Sequence, residues 1–394
     1  MALVIQCAPV RRYICRGYAS LSARQGKRKR LETRIAMNTD TCNGKRSSGE
    51  LPRGTNVSRI PWYHNKLKKE RFFLSLVIVM IASRLVWSAE LQPTGKVEFT
   101  GDSKKSKDIS ALCLVGEFLV IGADEGNKIQ ILKRDGDHYG LVRDVVLDDS
   151  AKEIDVEGIA CDGNTVYVVG SHSWKRESVK DNNTYKDNRE LIAAIQPEPS
   201  RDRVFKFTVD SEGNTSAIEK TSLRAILDQD KVLHPFSRVP SKENGIDIEG
   251  LAFHQGLLYA GSRGPVLRDN YVPVLTFQFA TPVVQANLLF VNLGGRGIRD
   301  LAAVQGGFLV LAGPVGDGPG SYQVYFWNGQ DCLPGRRDAG EVGQCRLLGE
   351  VRVEPEAKTE GITVVAESAS VYEVIIVYDR SKNGDATRFR MPKL

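Results

Sequence analysis

Five stretches of this chain follow one plan. They are "DISALCLVGEFLVIGADEG" from Asp108, "DVEGIACDGNTVYVVGSHS" from Asp155, "DIEGLAFHQGLLYAGSRGP" from Asp247, "IRDLAAVQGGFLVLAGPVG" from Ile298 and "KTEGITVVAESASVYEVIIVYD" from Lys358. Each has a short apolar run, a turn, and a second apolar run; in the first four the second run stops at a Gly. Short β-branched runs joined by tight turns are hairpins. A third run follows each hairpin, such as "DRVFKFTVD" and "YQVYFWNG", and a fourth follows most of them, such as "NLLFVNL" and "CRLLGEVRV". Four antiparallel strands per unit, recurring about every 45–60 residues, is the pattern of a β-propeller. The last unit has only three strands before the chain ends. The stretch "GKVEFTGD", Gly95–Asp102, supplies the missing one, which closes the ring and leaves no exposed sheet edge. The sequence therefore predicts an all-β propeller of four-stranded blades. Five blades are counted, and the 92 residues from Asp155 to Asp247 leave room for a sixth. Two insertions interrupt the pattern, near 174–200, with a short helix expected near Glu190–Ile195, and near 224–245. Long insertions on one rim either shape a binding site or are solvated loops.

The ends of the chain differ in charge. Residues 1–89 carry 18 Lys and Arg against 4 Asp and Glu, which leaves 36 against 44 for the remainder. The repeat region is thus acidic, and a phosphate-backbone footprint for nucleic acid is not expected. Lys66, Lys68, Lys69 and Arg71 precede an apolar run, Phe72–Ala82, and small residues follow at Ser88 and Ala89. That order is that of a secretory signal peptide over 67–89, and the run is too short for a stable membrane span. The reading is an exported, periplasmic or secreted protein; the alternative is an uncleaved membrane anchor through 72–89. Residues 1–66, polar and without periodicity, read as a disordered basic extension. Because a signal peptide begins at its basic segment, translation is expected to begin at Leu67 rather than at Met1. The repeats then make up a single domain over 90–394.

Cysteine usage fits export. Cys332 and Cys345 flank a Gly-rich loop and are a candidate disulfide, whereas Cys113 and Cys161 lie in apolar strands and read as buried small hydrophobes. No Cys or His pattern has zinc spacing, and no nucleophile elbow is present.

The first strand of each propeller blade lines the central channel, so one position repeated across blades converges on a ring. Glu157, Glu249, Asp300 and Glu360 are placed on that ring, with Ser110 in the first copy and Asp155 and Asp247 two residues earlier on the same strand face. Residues just past the second strand join the same rim: Asp124 and Glu125, Ser171 and His172, Ser262 and Arg263. Arg296 and Arg299 precede the fourth acid. Crowded carboxylates need a cation, Arg partners or protons. Calcium or another divalent cation suits Glu157, Glu249, Asp300 and Glu360. Arg263, Arg296 and Arg299 suit a small anionic ligand, and His172 a general base. Alternatively, the acids accept backbone N–H bonds from the next blade or pair with Arg, and the ring is scaffold.

"DVEGIA…YVVGSHS", "IDIEGLA…LLYAGSRGP", "GGRGIRDLA…LAGP" and "TEGI…VYD" resemble a bacterial family catalogued as domain of unknown function 3616, over roughly Lys107 to Asp379. The resemblance implies a propeller-like fold and carries no activity. The "EG" motifs are more remotely similar to those of calcium-dependent lactonase and strictosidine-synthase-like propellers, where such a Glu ligates a channel metal; phytase-like and esterase-like propellers offer a similar analogy. On Glu157, Glu249 and Glu360 this implies metal ligands. Two functions are expected: a metal-dependent hydrolase of a small ester, lactone or phosphate, or a non-catalytic propeller that binds a protein or glycan around a structural carboxylate–arginine ring.

Overall fold

In the computed structural model, which describes residues 90–101, 108–318, 320–335, 342–354 and 357–393, the repeats form five four-stranded antiparallel blades. Two short strands come first, β1 (Pro93–Lys96) and β2 (Glu98–Thr100). Blade one is β3 (Ile109–Val115), β4 (Phe118–Ala123), β5 (Lys128–Asp135) and β6 (His138–Val146). Blade two is β7 (Val156–Asp162), β8 (Thr165–Gly170), β11 (Val204–Thr208) and β12 (Glu219–Thr221); between β8 and β11 lies a small ribbon of β9 (Trp174–Lys175) and β10 (Gln196–Pro197). Blade three is β13 (Asp247–His254), β14 (Leu257–Gly264), β15 (Tyr271–Phe277) and β16 (Asn287–Asn292). Blade four is β17 (Gly297–Val304), β18 (Gly307–Gly313), β19 (Tyr322–Trp327) and β20 (Cys345–Val351). Blade five is β21 (Lys358–Glu367), β22 (Val371–Asp379) and β23 (Thr387–Pro392), completed by β1. The extension and leader expected over 1–89 lie outside the described residues.

The inner strands β3, β7, β13, β17 and β21 pack side by side, with β21 returning to β3, so the ring is closed. The interval between the second and third copies holds no sixth blade; its insertions fill it. Five apolar clusters form the core, one in each seam between neighbouring blades. This arrangement follows from the hairpins: both faces of each sheet are apolar, so each blade is stable only when sandwiched between two others.

The closing strand is shorter than "GKVEFTGD" and lies further upstream. Pro93–Lys96 pairs with β23, while Glu98–Thr100 pairs with β6, the outer strand of blade one, in parallel. Val97, buried between them, marks the crossing from one blade to the next. The N-terminal segment thus fastens both sides of the closure.

The helix in the first insertion is α1 (Tyr185–Ala193), which begins earlier than the expected Glu190 because Thr184 and Asp187 form a capping box there. The second insertion is no solvated loop. It contains α2 (Arg224–Gln229), and its Leu223, Ile226, Leu227 and Leu233 are buried in the seam between blades two and three. Among the described residues no helix is long and apolar enough to cross a membrane.

Every inner strand carries a bulge at one place. Pairing skips Ser110, Glu157, Glu249, Arg299 and Glu360 in blades one to five. A bulge re-aims one side chain out of the ladder, and all five of these face the axial cavity. The residue that follows faces the neighbouring blade. A Cβ on Gly158 would stand 2.8 Å from Leu251 N, and one on Gly361 2.6 Å from Leu112 Cδ2. The recurrent "EG" therefore has two functions: the Glu turns to the axis and the Gly lets the blades close up.

Candidate functional site

A cavity of about 510 Å³ opens at the rim where the inner strands begin. Three tiers of side chains line it. The bulge residues Ser110, Glu157, Glu249, Arg299 and Glu360 form the first. Asp108, Asp155, Asp247 and Lys358 at the starts of the inner strands form the second. Asp124, Arg263 and Asp379 near the ends of the second strands form the third. The insertions complete the mouth with Arg176, Arg201 and Lys242 among others.

This register corrects blade four. Arg299, not Asp300, occupies the ring position. Asp300 sits where the other blades have Gly or Ala, and it is absent from the cavity wall. Its carboxylate instead gathers backbone N–H groups. Leu301 N donates to Oδ1 and Ile362 N to Oδ2, both at 2.7 Å, and Leu251 N–H also points to it. These three residues hold equivalent positions in blades four, five and three. Asp300 is thus a hub that binds three blades together, with burial pushing its carboxyl well above the ordinary range against the pull of those N–H groups.

The two halves of the cavity differ. On the side of blades three to five, acids and arginines alternate in a chain. Asp247 pairs with Arg263, whose Nη1 lies 2.6 Å from Glu249 Oε1; Glu249 Oε2 lies 3.0 Å from Arg299 Nη1, and Arg299 Nη2 pairs with Glu360. All five side chains are buried. The guanidinium of Arg263 is desolvated, yet Asp247 and Glu249 still push its pKa up.

The opposite half, on blades one, two and five, is acidic. Arg201, from the first insertion, holds Asp155 at 2.9 Å and Glu153 at 2.5 Å, and Ser171 also donates to Asp155. Glu157 has no hydrogen-bond or ion-pair partner among the described residues. Its pKa is raised well above the ordinary value, by burial first and then by the charges of Glu249, Asp155, Asp247 and Asp124. Asp124 Oδ1 is closed to solvent, with no hydrogen-bond partner among the described residues. Burial, then the charges of Asp379 and Asp155, push its carboxyl up to about 7.

Several expected site residues lie elsewhere. His172 is fully buried behind the rim, at φ 54°. Its Nδ1 is 2.8 Å from Gly170 O and its Nε2 accepts from Leu223 N at 3.1 Å, so the neutral ring carries its proton on Nδ1. Burial pulls its pKa down to about 4. With Nδ1 on the end of β8 and Nε2 on Leu223, both nitrogens are committed to backbone, and His172 is not placed as a general base. Arg296 is also outside the cavity: its Nε donates to Ser321 O at 3.1 Å and its Nη2 to Ser321 Oγ at 2.5 Å, a strap between two loops. Arg263 and Arg299 do face the cavity, but each is committed to two acids.

The donors do not fit the expected cation. Glu249 and Glu360 are paired with arginine and Asp300 with backbone, which leaves Glu157 alone of the four proposed ligands. Among the described residues no group of three or more His, Cys, Asp or Glu is placed to hold a metal ion. The disulfide also differs from expectation. It joins Cys113 to Cys161, on the inner strands of blades one and two, whereas Cys332 and Cys345 are not bridged. The latter two pack beside the seam of blades three and four, where burial pushes the Cys345 thiol up to about 12.

Sequence reasoning missed Asp379, Lys358 and Arg201. The first two occupy repeated positions, the end of the second strand and the start of the inner strand, so extending the register to the fifth copy finds them. Arg201 comes from an insertion and has no repeated signal.

Among solved structures, the glutaminyl cyclase of Myxococcus xanthus is 11% identical with a TM-score of 0.42, over 77% of this chain and 95% of that one. The hydrazine synthase of Kuenenia stuttgartiensis is 12% identical with a TM-score of 0.33, over 75% and 69% respectively. No curated protein sequence matches the chain. The model of a family described as protein of unknown function (DUF3616) matches residues 108–390, which takes in the inner strands of all five blades and the whole axial ring, and the chain belongs to that family.

Proposed function

We propose that the propeller is a receptor for a small organic cation, a solute with an ammonium or guanidinium group that enters the axial cavity and sits against Glu157 and Asp124. The observation that carries this reading is the imbalance of the cavity. Its arginines are paired with Asp155, Asp247, Glu249 and Glu360, while Glu157 and Asp124 face the same space with no ion-pair partner among the described residues. A half-buried carboxylate crowded by like charges is costly and neutralises by taking a proton or a counter-ion. The volume, about 510 Å³, is that of a small-molecule site rather than a bare ion.

The hydrolase reading has less support. Its base is committed to backbone, three of its four metal ligands have other partners, Arg263 and Arg299 are paired with acids, and Arg296 lies outside the cavity. The carboxylate–arginine chain serves the second expectation, a non-catalytic propeller, with the ligand a small cation rather than a protein or glycan.

Calorimetric titration of the full chain with n-butylammonium at pH 8 and low salt tests the proposal. Saturable binding is expected, weakened at least tenfold in Glu157→Gln. Heat without saturation, or equal affinity in the variant, sinks it.

On the same reading the protein works in an oxidising compartment, where bridges such as Cys113–Cys161 persist. Thiol mapping of the natural protein is expected to find both cysteines blocked until reduction; labelling of both without reductant would place it in the cytosol.

A further inference from the structure

The polar cavity has an aliphatic side. Val179 and Ile192 both line it, both come from the first insertion, and both are about half exposed, at 52% and 51%. Ile192 lies on α1, a nine-residue helix that buries none of its own residues. A helix of that length gains little by itself in water. It is held by a clasp: Arg176 Nη1 donates to Ile192 O, while its Nε and Nη2 engage both oxygens of Glu243 on the second insertion. Trp174 bridges to Pro240 beside that clasp. The two insertions are thus tied to each other across the mouth, and the tie holds Ile192 at the cavity wall instead of against the core.

The cations around this wall already have acid partners, Lys242 and Lys358 sharing one. Lys175 is 3.0 Å from Glu177, Lys242 is 2.9 Å and Lys358 3.5 Å from Asp317, and Arg176 is on Glu243. Among the described residues each of these cations already has an acid beside it, whereas two aliphatic side chains are left uncovered.

We infer that the first insertion is the specificity wall of the receptor: the ligand is an amphiphilic aliphatic ammonium compound, its head on Glu157 and Asp124 and its hydrocarbon arm across Val179 and Ile192. This rests on the proposed cation-receptor reading. It makes the hydrocarbon arm, and not the charge alone, the feature by which ligands are told apart. Each methylene covered by the wall leaves water, which raises affinity by roughly two- to fourfold.

The test is a homologous series of methyl-, butyl- and hexylammonium, titrated calorimetrically into the full chain at pH 8. The wild-type protein is expected to bind hexylammonium at least tenfold more tightly than methylammonium. In a Val179→Ser, Ile192→Ser double variant that ratio is expected to fall to about two or less. Both sites are exposed, so the variant keeps the fold, and its melting curve checks this. Affinity independent of chain length in the wild-type protein, or a ratio unchanged in the double variant, overturns the inference while leaving the receptor reading in place. Absence of binding across the whole series overturns both.

Discussion

Replacing Asp124 with Asn is expected to stabilise the protein, and to do so only where the carboxylate would be charged. In the folded chain burial and the acids around it hold the group at about 7, against 3.8 when unfolded. Below pH 4 both states carry the proton and the side chain costs little. As pH rises the unfolded chain releases its proton first, so folding must either keep a proton or bury a charge. The penalty grows until the folded group also ionises near pH 7 and is constant above it. A gap of about 3 pH units corresponds to about 4 kcal/mol at pH 8. The amide is still a buried polar group, so the net gain in Asp124→Asn is about 2–4 kcal/mol at pH 8, or roughly 5–10 °C in Tm. At pH 4 the gain is below about 1 kcal/mol. Thermal melts of both proteins from pH 4 to 8 measure this. An equal effect at every pH, or a loss at pH 8, would mean that a cationic group of the protein already neutralises Asp124, and the argument for an unbalanced cavity would fail.

Asp300→Ala leaves three backbone N–H groups without their acceptor and is expected to lower stability by about 3 kcal/mol or more in denaturant titration, with ligand affinity unchanged within twofold; an unaltered unfolding midpoint would contradict the hub. His172 remains neutral down to about 4 when folded but takes a proton near 6.5 when unfolded, so it removes up to about 3 kcal/mol as pH falls across that interval. The stability difference between wild type and His172→Gln should therefore shrink on acidification, and a constant difference would refute the assignment. Cys161→Ser opens a bridge spanning 48 residues and is expected to cost about 4 kcal/mol by loop-closure entropy, read as a lower midpoint that reductant no longer shifts.

The blades were legible because a hairpin that buries both faces writes its register into the sequence five times. The ring was legible at Glu157, Glu249 and Glu360 and misread at blade four. Arg-Asp there was matched to Glu-Gly by its acid, although Leu301 is the partner of Ile159, Leu251 and Ile362, and that apolar anchor places Arg299 on the ring. Charge is a poor guide to register; the buried residue that follows the bulge is a good one. The bridge was hidden for a related reason. Cys113 and Cys161 are far apart in sequence and adjacent only once the inner strands stand side by side, whereas Cys332 and Cys345 are close in sequence and not bridged. Roles that depend on loop paths had no periodic signal. The φ of 54° at His172 swings its ring behind the rim, and Arg201 reaches the cavity from an insertion.

The central claim is that uncompensated carboxylates on the axis await a cation, and the pH dependence of ligand binding tests it most directly. Titrations of n-butylammonium from pH 5.5 to 8.5, in two buffers of different ionisation enthalpy, give affinity and proton exchange together. Because Asp124 is half protonated near pH 7, affinity should rise with pH across neutrality, and binding there should release protons to the buffer. Affinity that is flat or falls with pH, or proton uptake on binding, would contradict the account and leave the axial ring a structural device alone.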